Sequence, residues 1–225
     1  MSSALHFTID SLISWPPAPD VDGQTSHPPL EPVPAMQRRR MSPLCKAAMH
    51  GAFGLGDGGD DIPLVFASRF GDMSRSIELL QQLSQGESLS PTQFSLSVHN
   101  AIGALHGILS GHAGQYTAIA AAEETVEAAC CEALAMLVDG APAVRLVVYD
   151  APLPAPYQDA APAQPPLIAW ACRLRLADSG PRFSLESAPA SGDADSQGLW
   201  PFLNSAARQH THHCGQRDWH WARHG

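Results

Sequence analysis

The chain has 225 residues, enough for one large domain or two small ones, with roughly 70% of the unfolded surface buried on folding. Thirteen basic residues stand against 22 acidic ones, for a formal charge of −9, and Lys46 is the only lysine. Cationic density supplies most of the affinity for nucleic acid and anionic membranes, so this composition disfavours both as partners. The longest nearly apolar stretches are too short to cross a bilayer, and Met1–Asp10 lacks the basic start and apolar core of a secretory signal. A cytoplasmic α/β protein is expected.

In chain order, Leu5, Phe7 and Ile9 alternate and predict a first strand within residues 4–14. Seven prolines from Pro16 to Pro34 exclude a helix or central strand there and predict an irregular surface connection. Ser42-Pro43 is an N-cap followed by proline at the first helical position, so a helix is expected from Pro43 to about Phe53. The glycines at 51, 54, 56, 58 and 59 end it in an exposed, flexible loop. That loop lacks the lysine of a phosphate-binding P-loop. Its aspartates 57, 60 and 61 lack the order of a calcium loop.

Ile62–Ser68 is a continuous apolar run and reads as a buried strand. Ser74–Leu83 is amphipathic, with Ile77, Leu80 and Leu83 expected inward. Ser90-Pro91 opens another element, in which Phe94, Leu96 and Val98 alternate toward His99-Asn100, and a helix is expected over Ile102–Leu109. Tyr116–Ala122 has the apolar character of a central strand. Val126, Cys130, Ala133 and Leu137 then mark a helix from about Glu123 to Val138, and Val144–Tyr149 gives the next strand. Strand, helix and strand together predict a parallel crossover. Leu167–Leu176 and Phe183–Leu185 are expected to pair as antiparallel neighbours around Asp178–Pro181. Ser187–Gln197 is expected to be a flexible connection, and Leu199–Ala207 a short helix.

Glu123 and Glu124 fall where the predicted buried strand meets its helix. Functional residues gather at the carboxyl ends of parallel strands, and the helix N-terminus independently favours acidic side chains. Glu127, one turn on, adds like-charge repulsion to Glu123. Arg69 follows the buried strand at 62–68 and is expected to reach Asp72 or Glu78, or to face a partner. The five cysteines contain no CxxC pair, and adjacent Cys130 and Cys131 point apart. His210, His212, His213, Cys214, His220 and His224 crowd the C-terminal region, but their spacing fits no standard closed zinc module, so no metal is assigned. Trp219 and Trp221 are expected to place one ring against the domain and one in solvent.

Three segments carry a family resemblance: Ser68-Arg69-Phe70-Gly71-Asp72, the run Leu89–Asn100, and Ala120-Ala121-Ala122-Glu123-Glu124. With the Arg217–Trp221 ending, they resemble the short synthase-like or chain-length-factor-like proteins of bacterial aryl polyene and xanthomonadin-type pigment pathways. These are related to the N-terminal half of β-ketoacyl-ACP synthases. The resemblance implies a truncated thiolase-like fold, N-terminal half only, with a mixed sheet flanked by helices. It implies such a domain over residues 1–186, and over 187–225 a flexible connection and a tail packed on it.

The same resemblance puts Glu123 where a condensing enzyme has its nucleophilic cysteine, and makes Asn100 the residue before the helix lining the acyl channel. His99, Phe94, Glu123 and Glu124 join Asn100 as expected channel or interface residues, and Arg69 as an interface arginine. A cysteine thiolate forms a thioester, whereas a carboxylate would form a high-energy anhydride. Independent condensation is therefore rejected. The resemblance implies a non-condensing partner of an active β-ketoacyl-ACP synthase, with acyl carrier protein docking mainly through that partner and no organic cofactor. A malonyl-ACP decarboxylating or priming enzyme, and a purely structural scaffold, stand as alternatives.

Overall fold

The computed structural model describes residues 5–16, 28, 30–56, 59, 61–155, 157–160, 166–177, 179–192 and 198–225. Most of the proline-rich connection before Pro34, three residues of the glycine-rich loop (Asp57, Gly58, Asp60), Asp178 of the expected turn, and residues 193–197 of the polar connection lie outside these.

Strand β1 (Phe7–Trp15) is followed by α1 (Ala35–Arg40) and α2 (Pro43–Gly54). The expected cap is present, because Ser42 Oγ accepts a hydrogen bond from Cys45 N at 3.0 Å. Next come β2 (Leu64–Ala67), α3 (Met73–Ser84), α4 (Pro91–Ser95) and α5 (Ala101–Ser110). The crossover follows: β3 (Tyr116–Ile119), a 3-10 turn at Ala122–Glu124, α6 (Thr125–Val138) and β4 (Val144–Asp150). The chain continues through β5 (Ile168–Leu176), β6 (Arg182–Pro189), α7 (Leu199–Leu203), β7 (Gln209–His213) and β8 (Arg217–His224).

The eight strands form one mixed sheet in the order β3-β2-β4-β5-β1-β6-β8-β7. β2 runs parallel to both β3 and β4, so the β3–α6–β4 connection crosses over β2 as expected. Strict alternation divides the side chains between two cores. Val65, Ala67, Leu146, Val148, Trp170 and Cys172 meet α6, α7 and Trp221 on one face. Leu64, Phe66, Val147, Tyr149, Ala169 and Ala171 meet α2 on the other. This parallel core thus has both faces covered by helices of its own chain. Arg145, fully buried on β4, donates to the carbonyls of Gly56 (3.1 Å) and Ile62 (3.2 Å), which fixes the ends of the glycine-rich loop.

Several expectations are corrected. β3 ends the sheet instead of lying within it, and all four of its residues are half-buried. β5 and β6 are not a hairpin, because β1 lies between them, pairing with β5 from Phe7↔Leu176 to Trp15↔Ala169 and touching β6 at Phe7↔Phe183. On α3 the inward residues are Ile77 and Leu79, while Leu80 and Leu83 face solvent. Phe94 and Leu96 belong to a helical turn begun by Ser90-Pro91, not to an extended segment. Residues 187–225 supply Ser187–Pro189 to β6, then α7, β7 and β8 to the sheet. Trp219 and Trp221 are both buried, as residues two apart on a strand share a face.

Helix α2 lies close on the sheet at Gly51, where an added Cβ would come within 2.9 Å of the Ala171 Cβ and 3.8 Å of Val147. Gly51→Val should therefore lower stability by about 1–3 kcal/mol through overpacking, measured by urea unfolding.

Candidate functional site

The carboxyl ends of β2 and β4, with the turn after β3, converge on one polar cluster. At the end of β2, buried Ser68 donates from Oγ to Asp150 Oδ1 at 3.0 Å and accepts from Gly71 N at 2.8 Å. The same Asp150 oxygen accepts from Arg69 N at 2.9 Å. His99 Nε2 donates to the Ser68 carbonyl at 2.8 Å, and its ring sits against Gly71. Gly71 has φ +64, and a Cβ there would lie 3.2 Å from the imidazole, so both backbone conformation and space require glycine.

These contacts direct Arg69 away from the sheet. Its guanidinium lies 4.9 Å from the centre of the Phe70 ring and pairs with Glu123 Oε1. The sequence expectation of Asp72 or Glu78 as partner is corrected: Asp72 pairs with Arg75 at 3.4 Å.

Glu123 is presented by a sharp strand-to-helix turn. Ala122, immediately before it, has φ +50, a conformation costly for a residue with a side chain and concentrated at functional sites. Thr125 Oγ1 holds this turn by accepting from Ala121 N at 2.9 Å and donating to the Ala122 carbonyl at 2.7 Å. The Glu123 and Arg69 side chains are 35% and 22% exposed, so solvent screens their pair and its stability contribution is about 0–1 kcal/mol. Its chemical effect is larger than its energetic one: the carboxylate at the turn has a fixed cation beside it.

The other candidates lie elsewhere. Glu124 turns toward Arg217, at 3.2 Å. Glu127 points into the core, contrary to the expected repulsion with Glu123, and is taken up by β7 and β8. Phe94 is 59% exposed on α4, and Asn100 is exposed at the start of α5, where its side chain makes no capping bond. The five cysteines also stand apart from the cluster. Cys45, Cys130, Cys172 and Cys214 are buried, and Cys131 is on the outer side of α6. Burial pushes the Cys45 thiol up to about 12 and raises Cys130 and Cys172 as well; partial desolvation and the Glu127 charge raise Cys131. These shifts disfavour the nucleophilic thiolate.

Ser68 and Asp150 were not singled out from the sequence. Their signal is positional: each is a polar residue terminating an apolar parallel strand, where such folds gather function.

An arginine-paired glutamate thus sits on the strand-to-helix turn beside the ends of the parallel strands. The chain belongs to the beta-ketoacyl synthase, N-terminal domain family, which matches residues 13–222. Among solved structures, it is similar to a chain of the ketosynthase (ApeO) in complex with its chain length factor (ApeC) from Xenorhabdus doucetiae. That match has 22% identity and a TM-score of 0.80, covering 97% of this chain and 100% of the other. The ishigamide ketosynthase/chain length factor aligns at 14% identity and a TM-score of 0.57, over 68% of this chain and 50% of that one. A beta-ketoacyl synthase from Burkholderia phymatum STM815 aligns at 12% and 0.53, over 70% and 52%. The chain therefore spans about half the length of the last two. No curated protein matches it. The fold expectation, a mixed sheet flanked by helices as in the N-terminal half of a thiolase-like enzyme, holds. Among the described residues, no helix is long and apolar enough to cross a membrane.

Asp150 gives the cluster a measurable pH response. Desolvation pushes its carboxyl up to about 6, against the lowering effect of the Ser68 and Arg69 hydrogen bonds. A raised acid pKa means that the folded state binds more protons, so this contribution to stability is full below pH ~4 and lost as pH rises through about 6. Asp150→Asn, whose amide oxygen can still accept both bonds, should gain about 1–3 kcal/mol at pH 7. It should also flatten the dependence between pH 4 and 6, read by urea unfolding at each pH.

Proposed function

We propose that this chain is a non-condensing, chain-length-factor-like partner of an active β-ketoacyl-ACP synthase, working in the cytoplasm on a polyunsaturated acyl chain of the aryl polyene type. The observation that carries this reading is the Arg69–Glu123 pair at the strand-to-helix turn. A carboxylate with a guanidinium counter-ion cannot do the work of a thiolate, and every cysteine lies elsewhere with its thiol pKa raised or its side chain buried. The site can position and charge a channel wall; it cannot hold a thioester.

A partner surface has support as well. β3 ends the sheet with half-buried residues, and a sheet edge offers unpaired backbone groups to another chain. Helix α5 packs beside β3, where Gly103 admits the Tyr116 ring, and it exposes Ile108; Phe94 and Val98 are exposed just before it. Apolar side chains on that side favour association. Phe94, His99, Asn100, Glu123 and Glu124 are the residues proposed to shape the interface or channel, with Arg69 holding Glu123 toward it. The structure similar over its whole length comes from a complex of a ketosynthase with its chain length factor, which is the assembly proposed here. The acidic chain leaves docking of the acidic acyl carrier protein mainly to the synthase.

Co-expression with an active synthase should yield a stable heterodimer by size-exclusion light scattering, whereas the chain alone should not elongate acyl-ACP with malonyl-ACP. Elongation by the chain alone, or a monodisperse monomer indifferent to the synthase, would overturn the proposal. Because the ion pair is screened, Arg69→Ala and Glu123→Gln should each change stability by no more than about 1 kcal/mol. Both should preserve the heterodimer and shift product length, read by mass spectrometry of the released acyl chains.

A further inference from the structure

We propose that Glu127, His212 and Cys214 form a binding site for a zinc-class divalent cation that joins α6 to the β7–β8 hairpin. All three are buried, and one ligand atom from each lies within 4.8 Å of the others. His212 Nδ1 is 2.9 Å from Glu127 Oε1 and 3.5 Å from Cys214 Sγ. Tetrahedral zinc with sulfur, nitrogen and oxygen ligands has ligand-to-ligand edges of about 3.3–3.6 Å, so a shift of under about 1 Å would open this triangle around an ion.

Three features favour a cation over a simple buried hydrogen-bond group. Glu127 is fully buried, and its second oxygen, Oε2, has no hydrogen-bond partner among the described residues. That oxygen is available as a further ligand. A carboxylate and a thiolate sum to zero charge with a divalent ion, which removes the cost of burying Glu127. Both sulfur and imidazole suit zinc or cobalt better than magnesium or calcium.

An outer shell is also present. Trp221 Nε1 donates to Glu127 Oε1 at 3.3 Å, the kind of bond that orients a metal-binding carboxylate. Cys214 is held by its own amide, which donates to the Arg217 carbonyl at 3.0 Å and closes the turn between β7 and β8. The local spacing is only His-x-Cys; the third ligand arrives from α6, 85 residues away, so no linear zinc motif exists to be read.

The test uses the full chain purified without a histidine tag. Cobalt(II) added to the wild type should produce a thiolate-to-cobalt charge-transfer band at one equivalent and quench Trp221 fluorescence. Zinc(II) should displace it and raise Tm. Cys214→Ser should abolish the band and weaken cobalt binding by more than about 100-fold, while Trp221→Phe weakens it about tenfold. His220, exposed on β8, is the control, and His220→Ala should bind as the wild type does. No band in the wild type would overturn the site. So would binding that survives Cys214→Ser and falls with His220→Ala, the signature of an adventitious ion on surface histidines.

Discussion

The polar site depends on Asp150. One carboxylate at the end of β4 accepts from both the Ser68 hydroxyl and the Arg69 amide at the end of β2, and so fixes the direction in which the chain leaves the sheet. From that direction follow the Arg69–Glu123 pair, the close seat of His99 on Gly71, and the position of the whole cluster at the strand ends. The carboxylate is poorly solvated, which raises its pKa. Such a group is retained at a stability cost near neutral pH, consistent with selection for geometry there.

The parallel part of the fold was legible because its signals are local. Apolar runs at Ile62–Ser68 and Val144–Tyr149, and the spacing of Cys130, Ala133 and Leu137, specify the two strands and the helix of the core. Glu123 at the strand-to-helix turn was legible for the same reason. What failed was pairing between distant segments. No feature of Leu167–Leu185 announces that β1 will enter between its two strands, and none around Arg69 announces an acidic partner 54 residues on. Inward faces were also misjudged on α3, where Leu80 and Leu83 meet the helical period of Ile77 yet face solvent. Periodicity records that a face is apolar; it does not record which molecule covers it.

The two cores are covered by α2 on one face and by α6 and α7 on the other, and β7 and β8 extend the sheet beyond β6. Glu127, His212 and Trp221 bind that extension to α6. Thus the C-terminal strands are part of the same packed body, tied to α6 through Glu127 and to the turn before it through Glu124–Arg217.

The placement of β1 has a consequence for how the molecule assembles. Its strand is central, yet its partner strand β5 begins at Ile168, so β1 must wait for about 150 further residues before it can pair. Loop closure over that span is entropically slow, and the β2–β3–β4 unit, built from nearer contacts, can condense earlier. Until β1 arrives, β5 has an open backbone edge beside Trp170 and Leu174. An unpaired strand edge of that kind is prone to pair with other chains until its own neighbour fills it.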